Sequence, residues 1–180
     1  GFHYLDMFLV DGETLQKRLE RQQGRPLPYR ATADLVYKLA LALQHAHEQG
    51  VVHRDLKPAN ILLQGAGADL KRCRDPLNPG GLSPFLDLGE PQLTDFGLAR
   101  DLDLEATQSQ TGKIVGTAAY MAPEQAEGKS HVADAKSDVY GLGAVLYELL
   151  TGRWPFQECA TFAALVERKV HGEPTPVCKH

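Results

Sequence analysis

Apolar positions change their period several times along the 180 residues, and each change marks a predicted element. Phe2 to Val10 is an almost unbroken aromatic and aliphatic run, which predicts a strand. Asp11-Gly12 then supplies a turn before the polar helix start Glu13-Thr14-Leu15. Arg25-Pro26-Leu27-Pro28 interrupts the chain. Beyond it Leu35, Leu39, Leu43 and Ala46 form one stripe at helical spacing, predicting a helix that Thr32 caps, that runs to about Gln49 and that Gly50 stops. Val51-Val52 and Ile61-Leu62-Leu63 read as short strands on either side of a charged loop, residues 53–60, and a polar loop on apolar supports is where chemistry tends to sit. Residues 64–90 hold Gly65, Gly67, Pro76, Pro79, Gly80, Gly81, Pro84 and Gly89, which predicts a long, disordered surface insert. Gln92-Leu93-Thr94 reads as a short strand and 95–123 as a loop rich in Ser and Thr. The stretch 138–150 is the most apolar of the chain and predicts a buried central helix ending at Gly152. Thr161 to Val170 reads as one more helix. No internal repeat is present.

Composition narrows the classes without choosing among them. With 43% hydrophobic and 23% charged residues the chain is an ordinary globular one, not disordered or fibrous, and its length suits one domain or one large lobe. Nineteen Lys and Arg against 23 Asp and Glu give a net charge of -4, which offers no basic face to nucleic acid. Cys73, Cys159 and Cys178 are too few and too far apart for a disulfide framework or a metal knuckle, so a reducing, cytoplasmic setting is expected. No apolar run reaches the roughly 18 residues of a membrane span. His45 and His47, two apart on one helix, do not share a face and are expected to be packing or surface residues.

The charged loop carries the chemistry. His53-Arg54-Asp55-Leu56-Lys57-Pro58-Ala59-Asn60 fits the pattern H-R-D-x-x-x-x-N, and Asp95-Phe96-Gly97, Ala122-Pro123-Glu124, Ser137-Asp138-Val139-Tyr140-Gly141 and Thr151-Gly152-Arg153-Trp154-Pro155-Phe156 follow in order. On these residues the sequence resembles the Hanks-type Ser/Thr protein kinases. The resemblance implies an α+β, protein-kinase-like fold, a mainly helical C-terminal lobe with short β hairpins. It divides the chain into strand and hinge (1–12), helices and catalytic loop (13–63), insert (64–90), metal triplet and activation segment (91–125) and later helices (126–180).

The resemblance also implies roles. Asp55 would be the base that orients an acceptor hydroxyl, Lys57 would place positive charge at the γ-phosphate, and Asn60 and Asp95 would be oxygen ligands for Mg²⁺ beside ATP. Phe8 to Val10 would meet adenine and Leu62 would lie beneath it. Thr117 would face Asp55 and Lys57. Arg54 would hold a phosphate on Thr107, Ser109 or Thr111 of the activation segment. His53, Phe96, Glu124 and Asp138 would be structural: Asp138 accepting backbone hydrogen bonds near His53, Glu124 pairing with an arginine in a later helix that the sequence does not contain. Lys57 and Thr117 favour Ser/Thr acceptors, and Tyr120 to Gln125 is similar to bacterial members. Partners would be protein substrates and a kinase dimer for trans-phosphorylation.

Two features depart from the family pattern. No G-x-G-x-x-G-x-V loop or V-A-I-K-like strand precedes His53, so the N-terminal lobe is expected to be absent, the stretch inactive by itself, and an apolar face around Met7, Leu62 and Phe96 exposed. The 64–90 insert replaces what is usually a tight turn. Its Lys71-Arg72-Cys73-Arg74 run reads as solvated charge. Two other classes compete: a kinase-shaped binding module without catalysis, against which the intact set of Asp55, Lys57, Asn60 and Asp95 argues, and a small-molecule phosphotransferase of the aminoglycoside-kinase type, against which Ala122-Pro123-Glu124 argues.

Overall fold

The computed structural model describes residues 11–65, 74–75, 78–82, 88–96, 116, 118–129 and 133–180. Its core is helical. α1 (Leu15–Gln22) starts where the Thr14 hydroxyl accepts from Lys17 N, the reason a helix begins at that polar position, and it buries Leu15 and Leu19. α2 (Tyr29–Glu48) buries Leu35, Leu39 and Leu43, the stripe visible in the sequence. It begins three residues before Thr32, after Pro28, whose fixed φ suits a helix entry and whose carbonyl accepts from Thr32 N. Thr32 is therefore an interior residue and not the cap: its side chain is fully buried, and its hydroxyl has no partner among the described residues.

α2 packs on the central helix, together with Ala144, Val145 and Leu149 of that helix, in one apolar cluster with Leu15, Leu27, Ile61 and Leu63. Each of these leucines excludes water so thoroughly that truncation to Ala costs about 2–5 kcal/mol.

A three-stranded antiparallel sheet, ordered β1-β2-β5, lies beside α1 and α2: β1 (Gly12–Thr14), β2 (Ile61–Gln64) and β5 (Glu90–Leu93). Ile61 faces Leu93 and Gln64 faces Glu90, so the chain leaves the sheet at Gln64 and re-enters it directly opposite. The insert therefore leaves the register untouched, since loop-closure cost rises only slowly with length. Within the insert β3 (Arg74–Asp75) pairs antiparallel with β4 (Asn78–Leu82), so part of the segment expected to be structureless is a short pair of strands. Two further expectations fail locally. Gly12-Glu13-Thr14, expected as turn and helix start, is a strand paired with β2, while Val51-Val52 is irregular because the chain there runs straight from α2 into the charged loop.

Beyond the 116–122 segment come α3 (Pro123–Ala126), α4 (Ala135–Thr151) and α5 (Phe162–His171). Asp134 caps α4, accepting from Lys136 N, and Ser137 Oγ accepts from Asp134 N in return. α4 is the apolar helix of the sequence, yet it is not buried all round: Asp138, Gly141, Ala144, Val145, Glu148 and Leu149 face inward, while Val139 is 65% exposed. Gly141 marks its closest approach to the charged loop, since a Cβ there would lie 3.1 Å from Leu56 Cβ and 3.3 Å from the Leu56 carbonyl oxygen. A second, smaller core joins Ala118, Phe156 and Leu165. Among the described residues no helix is long and apolar enough to cross a membrane.

Candidate active site

Residues 53–60 run irregularly from the end of α2 to a 3-10 turn at Pro58–Asn60 and then into β2. A loop without internal ladder bonds must take its shape from its surroundings, and here three elements supply it. From α4, the buried Asp138 carboxylate accepts from His53 N at 2.8 Å and Arg54 N at 2.7 Å. From α2, His47 Nε2 reaches the same carboxylate at 2.7 Å. From α3, Gln125 donates through Nε2 to the Arg54 carbonyl at 2.7 Å while its Oε1 accepts from Ala122 N at 3.0 Å, tying the loop to the Ala-Pro-Glu turn. These anchors hold Arg54 in the left-handed region, φ 68°, a conformation that costs a non-glycine residue of order 1–2 kcal/mol.

His53 is fully buried and connects the loop to the residues after β5. Its Nδ1 accepts from Asp55 N at 3.3 Å, which assigns the ring proton to Nε2, and Nε2 donates to the Thr94 carbonyl at 2.9 Å. Its ring packs at 4.7 Å against Phe96. Thr94 N in turn donates to the Asn60 carbonyl at 3.0 Å. Asp95, exposed and left-handed at φ 63°, thereby sits between two tethered neighbours, Thr94 and Phe96.

At the loop's centre Lys57 Nζ donates to Asp55 Oδ2 at 2.6 Å, and Asn60 Nδ2 donates to the same oxygen at 2.9 Å and to the Asp55 carbonyl at 2.8 Å. Both amide hydrogens of Asn60 are thus engaged, and among the described residues its side-chain oxygen makes no hydrogen bond. The Asp95 carboxylate is a second hard oxygen donor, in the residue after Thr94, whose N–H is bonded to the Asn60 carbonyl. Mg²⁺ typically takes one or two such protein ligands and completes its shell with water and phosphate oxygens, so the donor set fits the ion. No three His, Cys, Asp or Glu side chains cluster as a metal cage among the described residues. Asp55 also borders a crevice with Arg54, Leu56, Tyr120, Met121 and Gln125. An oriented carboxylate, an ammonium and two oxygen donors can position a hydroxyl against a phosphate and offset its charge.

The remaining predicted residues fall in several places. Leu62 sits half-buried in β2, opposite Thr14 and Gln92. Glu124 Oε1 accepts from Ser137 Oγ at 2.5 Å, joining α3 to α4. Phe8, Val10, Met7, Thr107, Ser109, Thr111 and Thr117 lie outside the described residues. Sequence reasoning missed His47, which it placed as packing or surface, and Gln125, Glu148 and Lys169, which it did not weigh. Nothing local marks His47, because its partner lies 91 residues away. Glu148, on α4, accepts from Tyr120 Oη at 2.6 Å, and burial pushes both the carboxyl and the phenol up.

This loop, its asparagine and the following Asp-Phe pair, seated on capped helices in this order, match the model of the protein kinase domain over residues 2–172. The chain belongs to the protein kinase domain family. It is 41% identical over 174 residues to a probable serine/threonine-protein kinase of Corynebacterium efficiens, covering 96% of this chain and 22% of that protein. It is 41% identical over 173 residues to the serine/threonine-protein kinase PknA of Mycobacterium tuberculosis, covering 96% and 33%, and 38% identical over 173 residues to Pkn1 of Myxococcus xanthus, covering 96% and 22%. The chain thus spans about a fifth to a third of the length of these relatives.

Proposed function

We propose that the protein carrying this chain transfers the γ-phosphate of ATP to serine and threonine hydroxyls of other proteins. The observation that carries the reading is the convergence of Lys57 Nζ and Asn60 Nδ2 on one oxygen of Asp55, which leaves the carboxylate fixed and aimed. In the step, the acceptor oxygen forms a bond to the γ-phosphorus as the bond from that phosphorus to the β,γ-bridging oxygen breaks. The hydroxyl proton passes to Asp55, and ADP leaves. Lys57 offsets charge on the transferred group, and Asn60 and Asp95 would hold Mg²⁺, which supplies charge neutralisation at the phosphates. Leu62, with Phe8 and Val10, would bound the adenine. The names of the relatives support Ser/Thr acceptors.

The full-length protein incubated with γ-labelled ATP, Mg²⁺ and dephosphorylated casein should yield phosphoserine and phosphothreonine, with transfer abolished by EDTA. Label appearing only on a Glu-Tyr copolymer would sink the acceptor class. No Mg²⁺-dependent ATP binding at all would sink the enzyme reading.

Arg54 adds regulation to the same reading. Its Nε is buried and has no hydrogen-bond partner among the described residues, although a guanidinium in such a place ordinarily makes several. A phosphate on Thr107, Ser109 or Thr111 would complete it, in a kinase dimer acting in trans. Replacing all three by Ala should lower casein phosphorylation at least about tenfold if one charge-assisted pair sets the active geometry. Unchanged activity would remove the switch.

A further inference from the structure

The Lys169 ammonium meets main-chain oxygens and a phenol, and no carboxylate among the described residues. It lies on α5, is 6% exposed, and forms no ion pair among the described residues. Its Nζ donates to the Ala119 carbonyl at 2.8 Å, to the Met121 carbonyl at 2.7 Å and to Tyr140 Oη at 3.2 Å, with the Tyr140 ring centroid 4.7 Å away. Three donors thus meet three acceptors, the full capacity of the group. Two of those acceptors are main-chain oxygens of a tight turn, in which Ala119 N donates to the Gly116 carbonyl and Met121 N to the Ala118 carbonyl. One turn earlier on the same helix face, Leu165 is fully buried against Ala118 and Phe156, with Met121 packed on the cluster. α5 therefore grips 118–121 twice, by apolar packing and by a lysine clamp.

The gripped segment is the wall of the crevice that faces Asp55. Tyr120 and Met121 line it together with Arg54, Asp55 and Leu56. From this geometry we infer that Lys169 is a positioning residue for the protein acceptor, fixing the 119–121 main chain at the distance from Asp55 that an entering Ser or Thr requires. The inference rests on the proposed phosphotransfer and adds to it the part of the fold that seats the acceptor rather than the nucleotide.

The chemistry of the clamp is consistent with a purely positional role. Burial pushes the Lys169 ammonium down to about 7, while burial and the Glu124 carboxylate push Tyr140 up to about 12. Glu124 is the charged group that acts on Tyr140 in this clamp. When the ammonium loses its proton, the amine still donates to both carbonyls, and the Tyr140 hydroxyl, still protonated, reverses and donates to Nζ. The segment keeps its shape in either state.

The test is steady-state kinetics of the full-length protein with casein and ATP. Lys169→Met keeps the apolar stem and removes every donor. It should raise KM for casein about tenfold or more while KM for ATP stays within about twofold. A loss of folded protein alone would lower kcat and leave both KM values unmoved. Equal KM values for wild type and variant overturn the inference. Should Lys169→Met fail to fold, Tyr140→Phe decides: it removes one acceptor and keeps the ring, so a casein KM raised about threefold at constant ATP KM supports the clamp, and an unchanged casein KM overturns it. A wild type that labels no casein refutes the proposed function instead, which separates the two failures.

Discussion

Asp55→Asn should lower kcat for casein phosphorylation by about 10²–10⁴-fold, the range associated with removing a positioned general base. The substitution is nearly isosteric, and the asparagine oxygen can take the place of Oδ2, where Lys57 Nζ and Asn60 Nδ2 both donate. The loop therefore keeps its internal bonds. Asp55 N donates to His53 Nδ1 whatever the side chain is. What disappears is a site for the hydroxyl proton, since a neutral amide is a negligible base at pH 7. The loss should consequently fall on kcat, with KM for ATP little changed and the thermal midpoint within a few degrees of wild type. Initial rates across an ATP and casein grid, together with a thermal melt, read all three quantities. A variant with wild-type kcat would remove Asp55 from the reaction, and one that melts much earlier would make it a structural residue.

How much of this was legible in the sequence depends on the range of the interactions. The loop motif, the Leu35-Leu39-Leu43 stripe and the Gly152 stop of α4 are local patterns that periodicity and capping chemistry predict directly. The helix expected from 138, by contrast, starts at Ala135, because Asp134 caps a first turn that is too polar to show in the apolar run. The start of α2 was misread because Thr32 is a good cap by type, yet Pro28 already sets the entry and burial draws Thr32 inward. Gly12 to Thr14 looked like a turn because a two-residue turn signal says nothing about a strand partner about fifty residues further on. The strand pair inside the insert was hidden by its Gly and Pro content, which argues against strands in general but not against one short antiparallel pair.

The site divides along the same line. Asp55, Lys57 and Asn60 lie within one octet and were named from it. The groups that hold that octet come from α2, α3 and α4, at separations of 71 residues for Gln125 and Arg54 and 91 for His47 and Asp138. A glutamine directly after Ala122-Pro123-Glu124 was visible, but its two-ended bond to Ala122 and Arg54 depends on how α3 meets the loop. Lys169 carries no motif whatever. Its significance is that two main-chain carbonyls await it, and only the folded chain shows that.

Asp138 is where these supports converge, and its removal should have the largest effect on stability. The residue is 1% exposed, and three donors from two other segments end on it: His53 N, Arg54 N and His47 Nε2. Asp138→Ala leaves two main-chain N–H groups and one ring N–H without acceptors in a closed space. Stranding several buried polar groups at once costs about 3–5 kcal/mol, by analogy with breaking a buried ion pair. For a domain of this size that corresponds to a thermal midpoint lowered by roughly 10 °C. The left-handed turn at Arg54 loses its support as well, so activity should fall even at temperatures where the variant remains folded. Asp138→Asn should lie between wild type and Ala, because its oxygen can serve one of the two backbone donors while its amide group opposes the other. Chemical denaturation gives the order wild type, Asn, Ala in midpoint, and casein phosphorylation at 15 °C gives the same order in rate. If the alanine variant melts with wild type and phosphorylates casein at the wild-type rate, the loop takes its shape from Gln125 and its own short-range bonds, and the carboxylate on α4 is dispensable.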